Sequence, residues 1–341
     1  MNVRIKGAAL AASALMGILP AAVAEETSNA YHFLDIPTSS HVMGLGGNNI
    51  CVIEDDVSLA DQNPALIGPE LDMQVNVNYM YYMGSSNFAG VRYGMAAGDH
   101  GAWAVGLRYL NYGKIEGYDE FGTPTGAFTP SDLVVEGTYS RDITDRWRGG
   151  VNIKMAYSQY QSYTALALAA DLGVNYYDDE HGLSFSVVLR NMGGQIKRFG
   201  TSYNRVPFDV QIGYMQSVGD SPVSVSITAN NLVRWRIPYY SYKADGDENF
   251  QEENGFFSNF FRHLIFGLQY QPSDKFYIDL AYNYKTHSDM SAFSRNFLSG
   301  FSAGVGFRTR GFGIGVAYAQ PFRSGSTVML NLNCSIGELL Y

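Results

Sequence analysis

The chain has 341 residues and a formal charge of −9, with only 16% charged and 14% aromatic residues, 37 Gly, and 25 Tyr against 3 Trp. That balance excludes a nonspecific nucleic-acid binder, whose affinity rests on Lys and Arg against phosphate. A mean hydropathy of −0.11 is too polar for a bundle of membrane helices, but a membrane barrel passes unnoticed by that test because its outward and inward residues alternate and average out.

Residues 1–24 read as a secretory signal peptide. Arg4 and Lys6 form the positive region, Ala8–Leu19 the apolar stretch, and Ala22, Val23 and Ala24 the small-residue cleavage site before Glu25. The apolar stretch is too short to span a bilayer, and no uninterrupted apolar run of about 18 residues follows it. Residues 25–71 precede the repeating pattern and are expected to form an N-terminal plug. This stretch holds Gly46 and Gly47, which allow tight turns, an acidic run Glu54-Asp55-Asp56, and Asn63-Pro64-Ala65. The acids are expected to fix the plug to inward Arg92, Lys154 or Arg190.

Residues 72–341 repeat one unit: about ten residues of alternating polarity, then turn residues. Fourteen such stretches begin near Asp72, Asn87, Gly101, Asp132, Arg146, Thr164, Gly182, Phe208, Pro222, Arg262, Lys275, Phe297, Gly311 and Thr327. In the clearest, Leu166, Leu168, Ala170, Leu172, Val174 and Tyr176 occupy one face, and Ala165, Ala167, Ala169, Asp171, Gly173 and Asn175 the other. Sandwich strands usually run five or six residues, whereas about ten is what a tilted strand needs to cross a bilayer. The less apolar faces are rich in Gly, Ala, Ser and Asn, suited to a lumen. Tyr and Phe gather near strand ends, as interfacial girdles require. From a periplasmic N-terminus, every long connection falls outside: Lys114–Pro130, Asn191–Pro207, Asn231–Phe261 and Thr286–Asn296, while the inner turns are tight. The expectation is an all-β, 14-stranded antiparallel transmembrane β-barrel in the outer membrane, closed because lipid satisfies no open sheet edge.

Cys51 and Cys334 form no metal spacing. They could pair in an oxidising envelope, but Cys334 falls on the lipid face and Cys51 in the plug, so buried free thiols are expected. His263 and Asp279, on neighbouring strands, are the best catalytic pair on offer. His-Glu-x-x-His is not present, and no enzyme or cofactor is expected. The loop with Asp245, Asp247 and Glu248 fails as an EF-hand, because Phe250 stands where the turn glycine belongs and Phe256 where the bidentate Glu belongs. Together with Phe256, Phe257 and Phe260 it is a candidate partner-docking loop.

Several segments carry a family resemblance. The Gly-Gly turn, the acidic run, Asp61-Gln62-Asn63-Pro64-Ala65-Leu66 and the fourteen strands look like the FadL-type barrel superfamily. Leu34-Asp35-Ile36-Pro37, Gly46-Gly47-Asn48-Asn49, Asp145–Gly150 and Asn191-Met192-Gly193-Gly194 resemble PorQ-type components of the Bacteroidota type IX secretion system. That resemblance implies an accessory docking role beside PorZ, PorU and PorV, at a surface bearing outer-membrane lipid and lipopolysaccharide. The alternative is a FadL-like transporter of hydrophobic small molecules through a lateral wall opening. The lumen is the expected discriminator: Asn76, Asn78, Asp171, Ser224, Ser226, Asn331 and Asn333 give little apolar concavity.

Overall fold

In the computed structural model, residues 31–71, 73–82, 84–119, 121–199, 203–237, 240–241, 251–252, 255–289, 298–320 and 325–340 are described. Fourteen strands close into one barrel. They are β1 (Gln74–Tyr81), β2 (Asn87–Ala96), β3 (Gly101–Asn111), β4 (Ser131–Thr144), β5 (Trp147–Tyr160), β6 (Tyr163–Asp178), β7 (Leu183–Lys197), β8 (Asp209–Ser217), β9 (Val223–Ala229), β10 (Leu264–Ser273), β11 (Phe276–Asn283), β12 (Phe301–Thr309), β13 (Phe312–Ala319) and β14 (Thr327–Ser335). Each pairs antiparallel with its neighbours in sequence, and β14 returns to β1. The expected strand starts agree closely. The widest difference is β12, expected near Phe297 and observed from Phe301. Short helices α1 (Ser40–Gly44), α2 (Phe256–Arg262), α3 (Tyr284–Asp289) and α4 (Ile336–Leu340) accompany the strands, with several 3-10 turns. Among the described residues, no helix is long and apolar enough to cross a membrane.

Burial is inverted relative to a water-soluble sheet. Val77, Leu107, Leu172, Leu280, Leu330 and Leu332 lie exposed on the outer wall, while Asn76, Arg92, Arg108, Lys154 and Asp171 are buried inside. An apolar outer band over a polar interior is what lipid selects.

The outer connections are more structured than turn residues alone suggest. Within residues 114–130, Ile115–Tyr118 and Pro124–Phe128 form a two-stranded sheet. Asn191 does not open a loop, because β7 runs on to Lys197.

Residues 31–71 pack against the inward-facing wall. After α1, Gly46 (φ +99°) and Gly47 (φ +82°) turn the chain back in a conformation costly to any side chain, with Gly47 N–H donating to Val42 O at 2.9 Å. The segment then follows the wall: Asn49 Nδ2 donates to Ser226 Oγ on β9 (3.0 Å), Val57 N–H to Gln74 Oε1 on β1 (2.6 Å), and Ser140 Oγ on β4 donates to Ile67 O (2.6 Å). Both cysteines are free; Cys51 is buried as expected, but Cys334 is only half-buried.

The expectation of a lumen whose inward positions are mostly small or polar, with little apolar concavity, needs correction. Asn76, Asn78, Asp171, Ser226 and Asn331 are buried as foreseen. Toward the long-loop end, however, Met80, Phe88, Leu110, Val134, Ala156 and Met329 form an apolar belt with Tyr31, Phe33, Leu34 and Ile36 of the N-terminal segment. The alternation test finds which face points inward but not how far along a strand its chemistry changes.

Candidate functional site

The site is built where residues 61–66 meet β5, β6 and β7. Asn63 caps the 3-10 turn Pro64–Leu66, its Oδ1 accepting from Ala65 N–H at 2.9 Å. Its Nδ2 donates to Ser186 Oγ on β7 and to Ile50 O, both at 3.0 Å. The Asn63-Pro64 unit rests on Gly150 and Gly173, which face each other across β5 and β6. A Cβ on Gly150 would come within 2.4 Å of Pro64 C, and one on Gly173 within 2.0 Å of Asn63 Oδ1. The two glycines form the seat, and side chains there would displace the segment.

Beside this seat lies a buried layer of charge. Asp61 stands 3.0 Å from Arg108 Nη1 and 3.9 Å from Arg190 Nη2. Arg92 pairs with Glu136, Arg108 Nε lies 3.3 Å from the same Glu136, and Lys154 Nζ is 2.6 Å from Asp171. Burial would raise the Asp61 carboxyl, but Arg108, Lys154 and Arg190 pull it below its ordinary range. Gln62 Oε1 accepts from Arg190 at 3.3 Å, and Arg190 also donates to Leu34 O at 3.3 Å. The expected anchors are therefore reassigned. Glu54 holds Arg308 and His41 rather than Arg92, Lys154 or Arg190; Asp61 reaches Arg108 and Arg190, and Asp35 lies 3.8 Å from Arg190. His41 stacks on Tyr277 at 4.1 Å and lies 3.5 Å from Asp279. The candidate pair of His263 and Asp279 does not form: His263 contacts Asn230 O and Trp235 O, each at 2.9 Å.

The charged layer borders an irregular stretch of the wall. The β6–β7 ladder shifts register between Ala170 and Leu172 and again between Leu166 and Ala167. At the first shift Arg190 and Asn191 together oppose Asp171, an extra residue that bends the strand, with Asn191 left-handed at φ +55°. Asp171 Oδ1 accepts from Asn191 N–H at 2.7 Å, replacing the lost ladder bond. Asn191 Oδ1 accepts from Lys154 at 3.2 Å, and its Nδ2 donates to Asp35 Oδ1 at 2.9 Å. Beyond the break, a groove of about 540 Å³ runs along the outer wall, lined by Ile153, Leu168, Ala169, Met192, Gly193 and Gly194 among others. Ala169 belongs to the inward face and to the apolar belt. Gln195, also on the groove, is hydrogen-bonded to the Tyr31 hydroxyl inside (2.8 Å). The groove and the lumen thus share residues through a thin part of the wall.

Of the residues singled out from sequence, Asn63, Pro64 and Ala65 come together at this site, while Gly46 and Gly47 turn the segment beside β10, where a Cβ on Gly46 would strike Ile265. Phe256, Phe257 and Phe260 lie on α2, exposed at the outer rim; Asp245, Asp247 and Glu248 lie outside the described residues, as do residues 1–30. Asp61, Arg108, Asp171, Arg190 and Asn191 were missed as a unit. Their only signal was charge on inward positions of a membrane strand, which lipid tolerates only when paired. Asp178, Glu180 and His181 also cluster, at an inner turn, but Arg146 already supplies a counter-charge 3.0 Å from Asp178.

Fold and wall define an outer-membrane-type barrel of fourteen strands. No family model and no curated protein matches the sequence. Among solved structures, the chain is similar to the Ralstonia pickettii toluene transporter TbuX (11% identity, TM-score 0.52, covering 88% of this chain and 98% of that one). It is also similar to a Pseudomonas aeruginosa FadL homologue (11%, 0.52, 87% and 98%) and to the Pseudomonas putida toluene transporter TodX (10%, 0.50, 86% and 95%). The fold shared with these proteins is the FadL-type barrel.

Proposed function

We propose that this protein passes small apolar molecules from its outer mouth into the membrane through the β6–β7 break, with residues 31–71 acting as a plug across the direct path. The observation that carries the reading is the groove at the break, which meets the apolar belt through Ala169. An apolar solute crossing the charged layer around Asp61 would have to separate buried ion pairs, each separation costing several kcal/mol. A sideways exit avoids that layer. The toluene transporters of the same fold support the transport reading over the docking role implied by the type IX resemblance, which rests on short sequence segments alone.

The test is uptake of a small aromatic hydrocarbon by vesicles containing the purified protein. Gly194→Trp fills the groove, since a Cβ there approaches only the Tyr203 hydroxyl (3.2 Å). The expected result is a folded barrel that has lost most of its uptake. Unchanged uptake in this variant would remove the lateral route, and no uptake by the unaltered protein would remove the transport reading.

A further inference from the structure

The outer rim carries an apolar patch that the transport route does not use. On α2, Phe256 is 65% exposed and Phe257 74%, with Phe260 and Phe261 also exposed. Trp235 lies against this helix. Asn259 Nδ2 donates to Trp235 O at 2.5 Å, its Oδ1 accepts from Ile237 N–H at 3.1 Å, and the Trp235 and Phe256 rings are 6.4 Å apart. So many exposed rings in one place mark a surface that something covers.

Two observations say what. The first is continuity. Phe261 packs on Phe266 (6.4 Å) and Tyr284 (6.1 Å), and Phe266 alternates with buried Ile265, which places it on the lipid side of β10. The patch therefore prolongs the lipid-facing wall past the strand ends. The second is charge. Arg234 and Arg236 flank Trp235 and are exposed, and among the described residues neither forms an ion pair. In a chain of net −9, two arginines beside interfacial rings are complementary to a phosphate held at the membrane surface, because the guanidinium fork binds phosphate oxygens in pairs.

We propose that Trp235 and α2, with Arg234 and Arg236, form a seat for a phosphorylated lipid of the outer leaflet, its acyl chains on the phenylalanines and its phosphate on the arginines. The seat stands independently of the transport reading.

The experiment places the full mature chain in phosphatidylcholine nanodiscs containing a minor share of bisphosphorylated lipid A, and counts retained lipid by native mass spectrometry. Arg234→Gln/Arg236→Gln is expected to weaken retention roughly 30-fold, at about 1 kcal/mol per arginine near the surface. Phe256→Ser/Phe257→Ser is expected to lower it as well, with both variants still heat-resistant barrels on a gel. Inorganic phosphate should not displace the lipid; displacement would indicate a free-anion site and overturn the proposal. In a Trp103→Phe/Trp147→Phe background, brominated acyl chains should quench Trp235. Unquenched Trp235, or retention by both variants equal to that of the unaltered protein, overturns the seat. So does loss of a soluble protein partner by the phenylalanine variant with lipid retention intact, which would make the patch a protein-docking surface.

Discussion

Two seams of the barrel use the same polar chemistry to opposite ends. Where β14 meets β1, eight consecutive pairs run from Gln74–Ser335 to Tyr81–Val328 without a shift. Asparagines reinforce that seam from inside, Asn76 Nδ2 donating to Asn331 Oδ1 at 2.7 Å. Where β6 meets β7, the register slips twice, and Asp171 and Asn191 bond across the slip. At the first seam side-chain bonds add to an intact ladder. At the second they substitute for ladder bonds lost at the bulge, and the wall carries a surface groove beside it. The N-terminal segment is fixed beside the irregular seam through Asp61 and Asn63.

This contrast can be broken in several ways. The largest effect is expected from Asp61→Asn. It leaves Arg108 and Arg190 short of a buried counter-charge and should weaken the segment's attachment by about 3–5 kcal/mol. Amide hydrogen exchange would show protection lost in residues 50–66 while the strands keep theirs; retained protection would mean the charged layer does not hold the segment. Leu330→Arg, on the lipid face near the intact seam, should destabilise the barrel by about 2–4 kcal/mol in denaturant titrations. A negligible cost would contradict the assigned face. Gly173→Val drives a side chain into Asn63 and should cost about 1–3 kcal/mol by overpacking. Its check is maleimide labelling of Cys51, whose thiol is buried and pushed up to about 11 by that burial. Labelling should be negligible in the unaltered protein and appear in the variant.

Acid gives a milder and reversible test. Burial acts to raise Asp61 and Glu54, but neighbouring cations hold both below the ordinary carboxylate range: Arg108, Lys154 and Arg190 for Asp61, and His41 and Arg308 for Glu54. Their stabilisation is fully present above the unfolded value near 4 and disappears as pH falls through the lower folded values. Exchange protection of residues 50–66 should hold at neutral pH and decline below about pH 4. Protection unchanged down to pH 2 would show that neither carboxylate holds the segment.

Much of this architecture was legible from period and turn chemistry. Leu166–Tyr176 alternates so regularly that face and span followed directly, and Gly46-Gly47 marked a turn. Asn191-Met192-Gly193-Gly194 misled for a physical reason: Asn and Gly favour left-handed backbone, which serves a loop and a bulge equally well. Only the hydrogen-bond partners of Asp171 decide between them. The acid partners were also beyond reach. Glu54 and Asp61 are seven positions apart, and which wall each meets depends on a path around the lumen that local sequence does not encode. The apolar belt of Phe88, Leu110 and Met329 was hidden because each contributes one residue to a different strand.

The most direct test staples the two seams. Ala170 and Met192 face each other across the broken seam, and Val77 and Leu332 across the intact one. Each pair is changed to Cys in a Cys51→Ala/Cys334→Ala background, and aromatic hydrocarbon uptake is measured before and after reduction. The Ala170–Met192 staple is expected to stop uptake and reduction to restore it, whereas the Val77–Leu332 staple is expected to have no effect. Equal uptake with both staples closed would contradict the lateral route.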